Sequence, residues 1–153
     1  MDIVRLYISP GHNFFGHHGL PAGTHETVEV ESVECVAGRG LAGDRFFDFK
    51  EDYRGQITFF AWEVYEELLL LPGAPRLDPG VFRRNAVTRG VDLSEWIGRP
   101  FEIQGVHFQG IAECSPCAWM DEAFCPGAML ALKGRGGLRA KVLSDGILRV
   151  TGR

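Results

Sequence analysis

Ile111-Ala-Glu-Cys-Ser-Pro-Cys-Ala-Trp-Met-Asp121 is the stretch on which the reading of this chain turns. Ahead of it, Val106, Phe108 and Ile111 favour strand, because branched and aromatic side chains suit a pleated surface. Behind it, Ala118, Trp119, Met120, Asp121 and Glu122 are mostly competent helix formers. Between them stand two cysteines one turn apart, with Pro116 just before the second. The pattern predicts a strand, a tight bend and a helix that starts at Cys117. The first turn of a helix carries unsatisfied N–H groups and the positive end of the macrodipole. A thiol placed there is pushed toward thiolate, the form that attacks sulfur or binds metal. A buried cysteine can also serve only as a small hydrophobe. The coincidence of bend, Pro116 and Cys114 favours chemistry at Cys117. Cys114, at the strand end, would resolve a persulfide or only pack.

Composition narrows the possibilities. At 153 residues the chain is expected to form one domain over 1–153, large enough to bury a core without staples. A formal charge of −4 argues against nucleic acid as the main partner. Four cysteines with one close pair do not suggest a secreted disulfide framework. Met1-Asp-Ile-Val-Arg-Leu lacks a basic segment followed by a long apolar core. Neither a signal peptide nor a membrane span is expected, which implies a cytoplasmic, reducing setting.

Working outward from the cysteines, short strands recur. Residues 3–8 form a first apolar run. A loop over 10–25, punctuated by glycine and proline, then carries His12, His17, His18 and His25. Thr27-Val-Glu-Val-Glu-Ser-Val-Glu-Cys-Val36 alternates with period two and reads as one half-buried strand with its acids toward solvent. Cys35 falls on the apolar row and is expected to pack. Gly38-Arg-Gly-Leu-Ala-Gly-Asp-Arg45 has neither the setting nor the spacing of a nucleotide cradle, and Asp44 and Arg45 would pair at a turn. Residues 55–60 suggest a strand and 61–71 a helix with Glu63, Glu66 and Glu67 outward. Residues 81–90 have strand character but are crowded with Arg83, Arg84, Asn85 and Arg89. Adjacent arginines on a strand point to opposite faces, so one of them should meet a groove or an anion. Residues 101–104 and 106–111 should pair around Gly105. Residues 138–143 and 147–150 read as a final hairpin about Ser144-Asp-Gly146. The sum is a mostly β, barrel-like domain with a few short peripheral helices.

The residues leave three chemistries open. Cys117 could be a thiolate that binds sulfur or a soft metal, with arginines holding an anionic cofactor. Cys114 and Cys117 could be a dithiol redox pair, although the repeated βαβ pattern of such proteins is missing. They could also be half of a zinc site completed by His12, His17 or Cys125.

Several blocks together resemble the MOSC domain, the C-terminal domain of molybdenum cofactor sulfurases, which also occurs alone in bacteria. They are Gly40-Leu-Ala-Gly-Asp-Arg45, Arg83-Arg-Asn-Ala-Val-Thr-Arg-Gly-Val-Asp-Leu93, Gly98-Arg-Pro-Phe, Glu113-Cys-Ser-Pro-Cys117, and Gly134 to Gly137 leading into Arg139-Ala-Lys-Val-Leu. The resemblance implies a β-barrel-like MOSC fold. It implies binding of the molybdenum–pterin cofactor, with Cys117 as sulfur carrier or as molybdenum ligand. Arg84 and Asn85, with Arg83, would help hold the pterin and its phosphate. Some relatives reduce N-hydroxylated compounds with an electron-donor protein. A sulfur carrier would instead need a donor of the cysteine desulfurase type. His12 and His17 would stand near the metal if the histidine loop replaces the family's missing histidine. The family often has a histidine after Gly-Asp-Arg and a His-Gly-Gly segment, whereas here Phe46 follows Arg45 and 48–54 contain none. The family's usual Gly-Asp near the last strand is also missing. Pyridoxal phosphate belongs to the separate aminotransferase-like domain of the long sulfurases, so no Schiff-base lysine is expected. Cys117, Arg84, Asn85 and part of the histidine loop should share one pocket.

Overall fold

The computed structural model describes residues 1–13 and 20–152. Ten strands and three short helices are present among them. The strands are β1 (Asp2–Ile8), β2 (Val28–Glu29), β3 (Ser32–Val36), β4 (Gly40–Leu41), β5 (Ile57–Ala61), β6 (Ala86–Arg89), β7 (Pro100–Ile103), β8 (Val106–Glu113), β9 (Leu138–Val142) and β10 (Gly146–Arg149). The helices are α1 (Trp62–Leu68), α2 (Ala118–Ala123) and α3 (Ala128–Ala131). A seven-stranded sheet runs β2-β1-β6-β5-β9-β8-β7, and a three-stranded sheet runs β10-β3-β4. The mostly β reading holds. The large sheet is mixed, since β5 and β6 pair parallel across α1, and it does not close into a barrel.

Period-two alternation explains why the large sheet has a core on each face. Phe59 points toward the small sheet, where Val33, Cys35, Leu41 and Leu148 meet Ile57, Phe108, Leu138 and Ala140. Phe60, one residue on, points to the other face and packs with Tyr65, Phe82, Met120 and Leu132 of the helical layer. On α1, Tyr65 and Leu68 are buried while Glu63, Glu66 and Glu67 are exposed, as helical spacing requires. No helix of the described residues is long and apolar enough to cross a membrane.

Three local readings are corrected. The run 27–36 is two strands, not one: β2 pairs with β1 in the large sheet, and β3 pairs with β4 and β10 in the small one. The chain changes sheets at Val30 and Glu31. Residues 138–150 are not a hairpin either. The strand β9 pairs with β5 and β8, whereas β10 crosses to β3. The turn at 144–146 is tied elsewhere: Ser144 Oγ accepts from the His107 N–H and Asp145 Oδ1 from the Ala37 N–H. Third, Arg83 and Arg84 are not on a strand, since β6 begins only at Ala86. The β7–β8 hairpin forms as read, with Ile103 opposite Val106 and positive φ at Gln104 and Gly105.

Close approach rather than turn geometry fixes Gly110. A Cβ there would stand 1.9 Å from the Trp96 carbonyl oxygen. Gly110→Ala must displace backbone and is expected to lower stability by about 1–3 kcal/mol, read as a reduced urea midpoint with an unchanged slope. A second expectation concerns Cys35, buried on β3, whose thiol is pushed up to about 12 chiefly by burial. Its unfolded counterpart titrates near about 8.5. Between those values the unfolded chain releases a proton that the folded chain keeps. Stability should therefore hold below about pH 8.5 and fall as pH rises toward 12. Urea midpoints at pH 8 and pH 10.5 should differ less in Cys35→Ala than in the parent.

Candidate functional site

The cysteine bend forms where β8 leaves the sheet. The Cys114 N–H donates to the Gly137 carbonyl at 2.8 Å, and Glu113 Oε1 accepts from the Gly136 N–H at 3.1 Å. A Cβ on Gly136 would meet the Cys114 carbonyl oxygen at 2.4 Å, so glycine is what lets the two segments touch. Cys117 is the N-cap of α2 in extended conformation (φ −134°, ψ 179°), and its carbonyl accepts from the Met120 N–H. Its side chain makes no capping hydrogen bond. Cys114 is buried and Cys117 half-buried.

The arginine block begins with a 3-10 turn, Pro79–Phe82, which ends at Arg83 in the left-handed region (φ 57°, ψ 38°). For a non-glycine residue that conformation costs roughly 1–2 kcal/mol. Hydrogen bonds to the Arg83 guanidinium hold it there. Nη2 donates to Ser9 Oγ (2.8 Å) and the Gly11 carbonyl (2.6 Å), and Nη1 to Thr27 Oγ1 (3.0 Å) and the His25 carbonyl (3.2 Å). Arg84 donates to the carbonyls of Gly136, Phe82 and Cys114. Asn85 Oδ1 accepts from the backbone and hydroxyl of Thr58, and its Nδ2 donates to the Tyr7 carbonyl. The Asn85 side chain thus stitches β5 to the end of β1.

A cleft of about 310 Å³ opens on the helical side of the large sheet. Cys114 and Cys117 line it, with Arg45, Arg83, Arg84 and Arg139. His12, Tyr53 and Thr58 complete the wall that matters here. Asp44 is buried, bonded to Ser9 N–H and Arg45 Nη1, and acts electrostatically on Arg45 and Arg83. Burial, and next the charge of Arg45, push Arg83 down to about 10. Burial also lowers Arg45, opposed by Asp44. His12 is lowered by burial and then by Arg45 and Arg83, so its imidazole is neutral at pH 7. Burial raises Tyr53, which keeps its phenol a neutral donor. Four arginines and no carboxylate are among the cleft's lining residues, which makes a site for anions, and the thiols add soft ligand or nucleophile chemistry.

A larger cleft of about 420 Å³ lies across the Glu113–Gly137 segment. Its carboxylates have structural duties: Glu63 accepts from Gly90 N–H, Asp92 caps Ser94, and Glu113 holds Gly136. Arg135 pairs with Glu67. No cysteine lines it, so the smaller, cationic cleft is the candidate site.

Of the residues singled out in the sequence, Cys117, Cys114, Arg83, Arg84 and His12 line one cleft. Asn85 is not among its lining residues. His17 lies outside the described residues. His12 packs edge-on against Phe46, with ring centres 4.8 Å apart. Among the described residues no three His, Cys, Asp or Glu side chains gather as a metal site. Sequence reasoning missed Tyr53, and it placed Arg45 and Arg139 in family-like blocks without giving either a part in the site. Arg139 sits in Leu138-Arg-Ala-Lys-Val, where alternation alone reads as a solvated face. Only the register, Arg139 opposite Thr58 on β5, brings it to the cleft.

A family model described as the MOSC domain matches residues 43–152. No curated protein matches the sequence. The fold is similar to that of the YUAD protein from Bacillus subtilis, at 20% identity and a TM-score of 0.73 over 97% of this chain and 91% of that one. It is also similar to YiiM from Geobacillus stearothermophilus, at 16% identity and a TM-score of 0.67 over 97% and 70%. At these identities the likeness is one of fold.

Asn85→Ala is expected to cost about 2–3 kcal/mol, because the Thr58 N–H and the Tyr7 carbonyl lose buried partners. Equilibrium urea unfolding checks the figure.

Proposed function

This chain belongs to the MOSC domain family, a family of molybdenum cofactor-binding domains, and on that premise we propose that its cleft binds the molybdenum–pterin cofactor with Cys117 as the acting thiol. One observation carries the reading: a half-buried thiol shares a cleft with four arginines, and no carboxylate is among the residues that line it. The donor set fits such a group, since a thiolate suits a soft metal and guanidiniums suit a phosphate. The cleft volume also falls in the range of small-molecule sites. When bound, the cofactor would supply the redox chemistry by which N-hydroxylated compounds are reduced.

The chain's own residues have distinct parts. Cys117, at the open end of the bend, presents sulfur to the cleft. Arg83 and Arg84 supply fixed positive charge beside it, and Arg45 adds to that field. In the carrier role, the Cys117 thiolate attacks the outer sulfur of a donor persulfide. The donor leaves as its own thiolate, and Cys117 keeps the sulfur. A desulfurase-type protein would be the donor. In the reductive role, an electron-donor protein would be the partner. Cys114, buried with its backbone tied to Gly137 and Arg84, is the less accessible thiol. A dithiol reading without molybdenum is the second choice, because both cysteines line the same cleft.

Metal analysis of protein made in a host that synthesises the pterin cofactor tests the proposal. Molybdenum near one equivalent is expected, lost in Cys117→Ser and kept in Cys114→Ser. The carrier role predicts a mass increase of one sulfur atom on Cys117 after incubation with a desulfurase and cysteine. Wild-type protein with neither molybdenum nor persulfide, but with a reversible Cys114–Cys117 disulfide, would overturn the reading in favour of dithiol redox.

A further inference from the structure

We propose that Arg139 and Tyr53 are the pair that binds the oxyanion of the ligand in this cleft, and that Arg83 and Arg84 are its framework. The inference rests on the cofactor-binding reading of the same site and names the groups that do the recognising. It comes from accounting for the guanidinium donors. Arg83 has four of its hydrogen bonds taken by Ser9, Gly11, His25 and Thr27. Arg84 has three taken by the carbonyls of Gly136, Phe82 and Cys114. A guanidinium has five N–H donors. These two therefore give the cleft their charge but have few donors left to turn toward a ligand.

Arg139 is built differently. It lies on β9, half-buried, opposite Thr58 on one side and Ala112 on the other. Among the described residues its side chain makes no hydrogen bond and no ion pair. Lys141, two residues on and on the same face, pairs with Asp52 at 2.6 Å. Arg139 has no such counter-ion and lines the cleft with its fork available. A planar fork grips two oxygens of a phosphate or carboxylate at once.

Tyr53 supplies the second donor. Its ring is fixed by Phe46 at 5.1 Å and Phe49 at 4.9 Å, with Lys50 Nζ 5.4 Å from the ring centre. Its hydroxyl bonds to no described residue, and Arg139 and Arg45 both act on it electrostatically. A clamped phenol beside an uncommitted guanidinium is a preorganised oxyanion site. The oxyanion is the phosphate of the cofactor or a phosphate or carboxylate of the substrate.

Calorimetric titration of the purified chain with inorganic phosphate tests the pair. The parent should bind. Arg139→Gln should weaken binding by about tenfold or more, and Tyr53→Phe by a smaller factor. Arg139→Lys, which keeps the charge and loses the fork, should fall between parent and Arg139→Gln. Lys133→Gln, on an exposed turn, should change nothing. Circular dichroism shows whether each variant is folded, and Tyr53→Phe keeps the idea testable if Arg139→Gln is not. A parent that does not bind phosphate, or a folded Arg139→Gln that binds like the parent, would sink the proposal. Repeating the titration on cofactor-loaded protein separates the two sources. Binding lost on loading assigns the pair to the cofactor's phosphate, and binding kept assigns it to the substrate. Phosphate binding without any molybdenum uptake would refute the proposed function and leave the pair standing.

Discussion

The site depends on one buried cation satisfied by three carbonyls. Arg84 is 9% exposed, and its guanidinium ties Phe82 in the arginine block, Cys114 in the cysteine bend and Gly136 in the turn before β9. Taking a charge out of water costs several kcal/mol when nothing compensates. Charge-assisted hydrogen bonds each return about 1.5–3 kcal/mol. The balance holds only while all three carbonyls converge. Arg84 therefore fixes the mutual position of segments far apart in sequence, and the cleft is the space between them. Because its partners are neutral carbonyls, the positive charge itself is not cancelled. The same residue stabilises the walls and sets the sign of the potential inside them.

Much of this was legible in the sequence where local rules and tertiary packing agree. The strand, bend and helix around Cys117 follow from propensity and from Pro116, and the β7–β8 hairpin from Gly105. Reading failed where a segment obeys a local rule and then serves two sheets. Ser144-Asp-Gly146 has the composition of a hairpin turn. Yet a Cβ on Gly146 would stand 2.6 Å from a Val106 methyl, so the chain there packs closely against the start of β8. The packing of Leu148 with Val33 and Cys35 then draws β10 onto β3. The alternation over 27–36 likewise says which side is apolar but not which sheet each half joins.

The candidate site was legible in its chemistry and less so in its geometry. The Arg83–Arg84 pair drew attention for a wrong structural reason, opposite faces of a strand. The real reason is a left-handed Arg83 that sends its side chain to Ser9, Gly11, His25 and Thr27 while Arg84 turns to the Cys114 carbonyl. Asn85 looked like a ligand contact because of its place in the motif, but its amide is consumed by Thr58 and Tyr7. Nothing in the order of residues marks Tyr53, and Arg139 stands out only as part of a family block with no role attached, because their partnership exists only through sheet register and through the aromatic group of Phe46 and Phe49.

The source of the field at Cys117 also shifts once the structure is in view. From residue order alone its source is the helix that follows. That helix has six residues, and its dipole is correspondingly weak, since the effect comes from aligned peptides over several turns. The guanidiniums of Arg45, Arg83, Arg84 and Arg139 carry whole charges in the same half-buried cleft, where screening by water is reduced. Asp44 offsets part of this charge through its ion pair with Arg45. An anionic ligand at the Cys117 end of the cleft would thus be held by side chains fixed in the sheet and its loops. The bend contributes the exposure of the sulfur and its aim, and the arginines contribute the electrostatics.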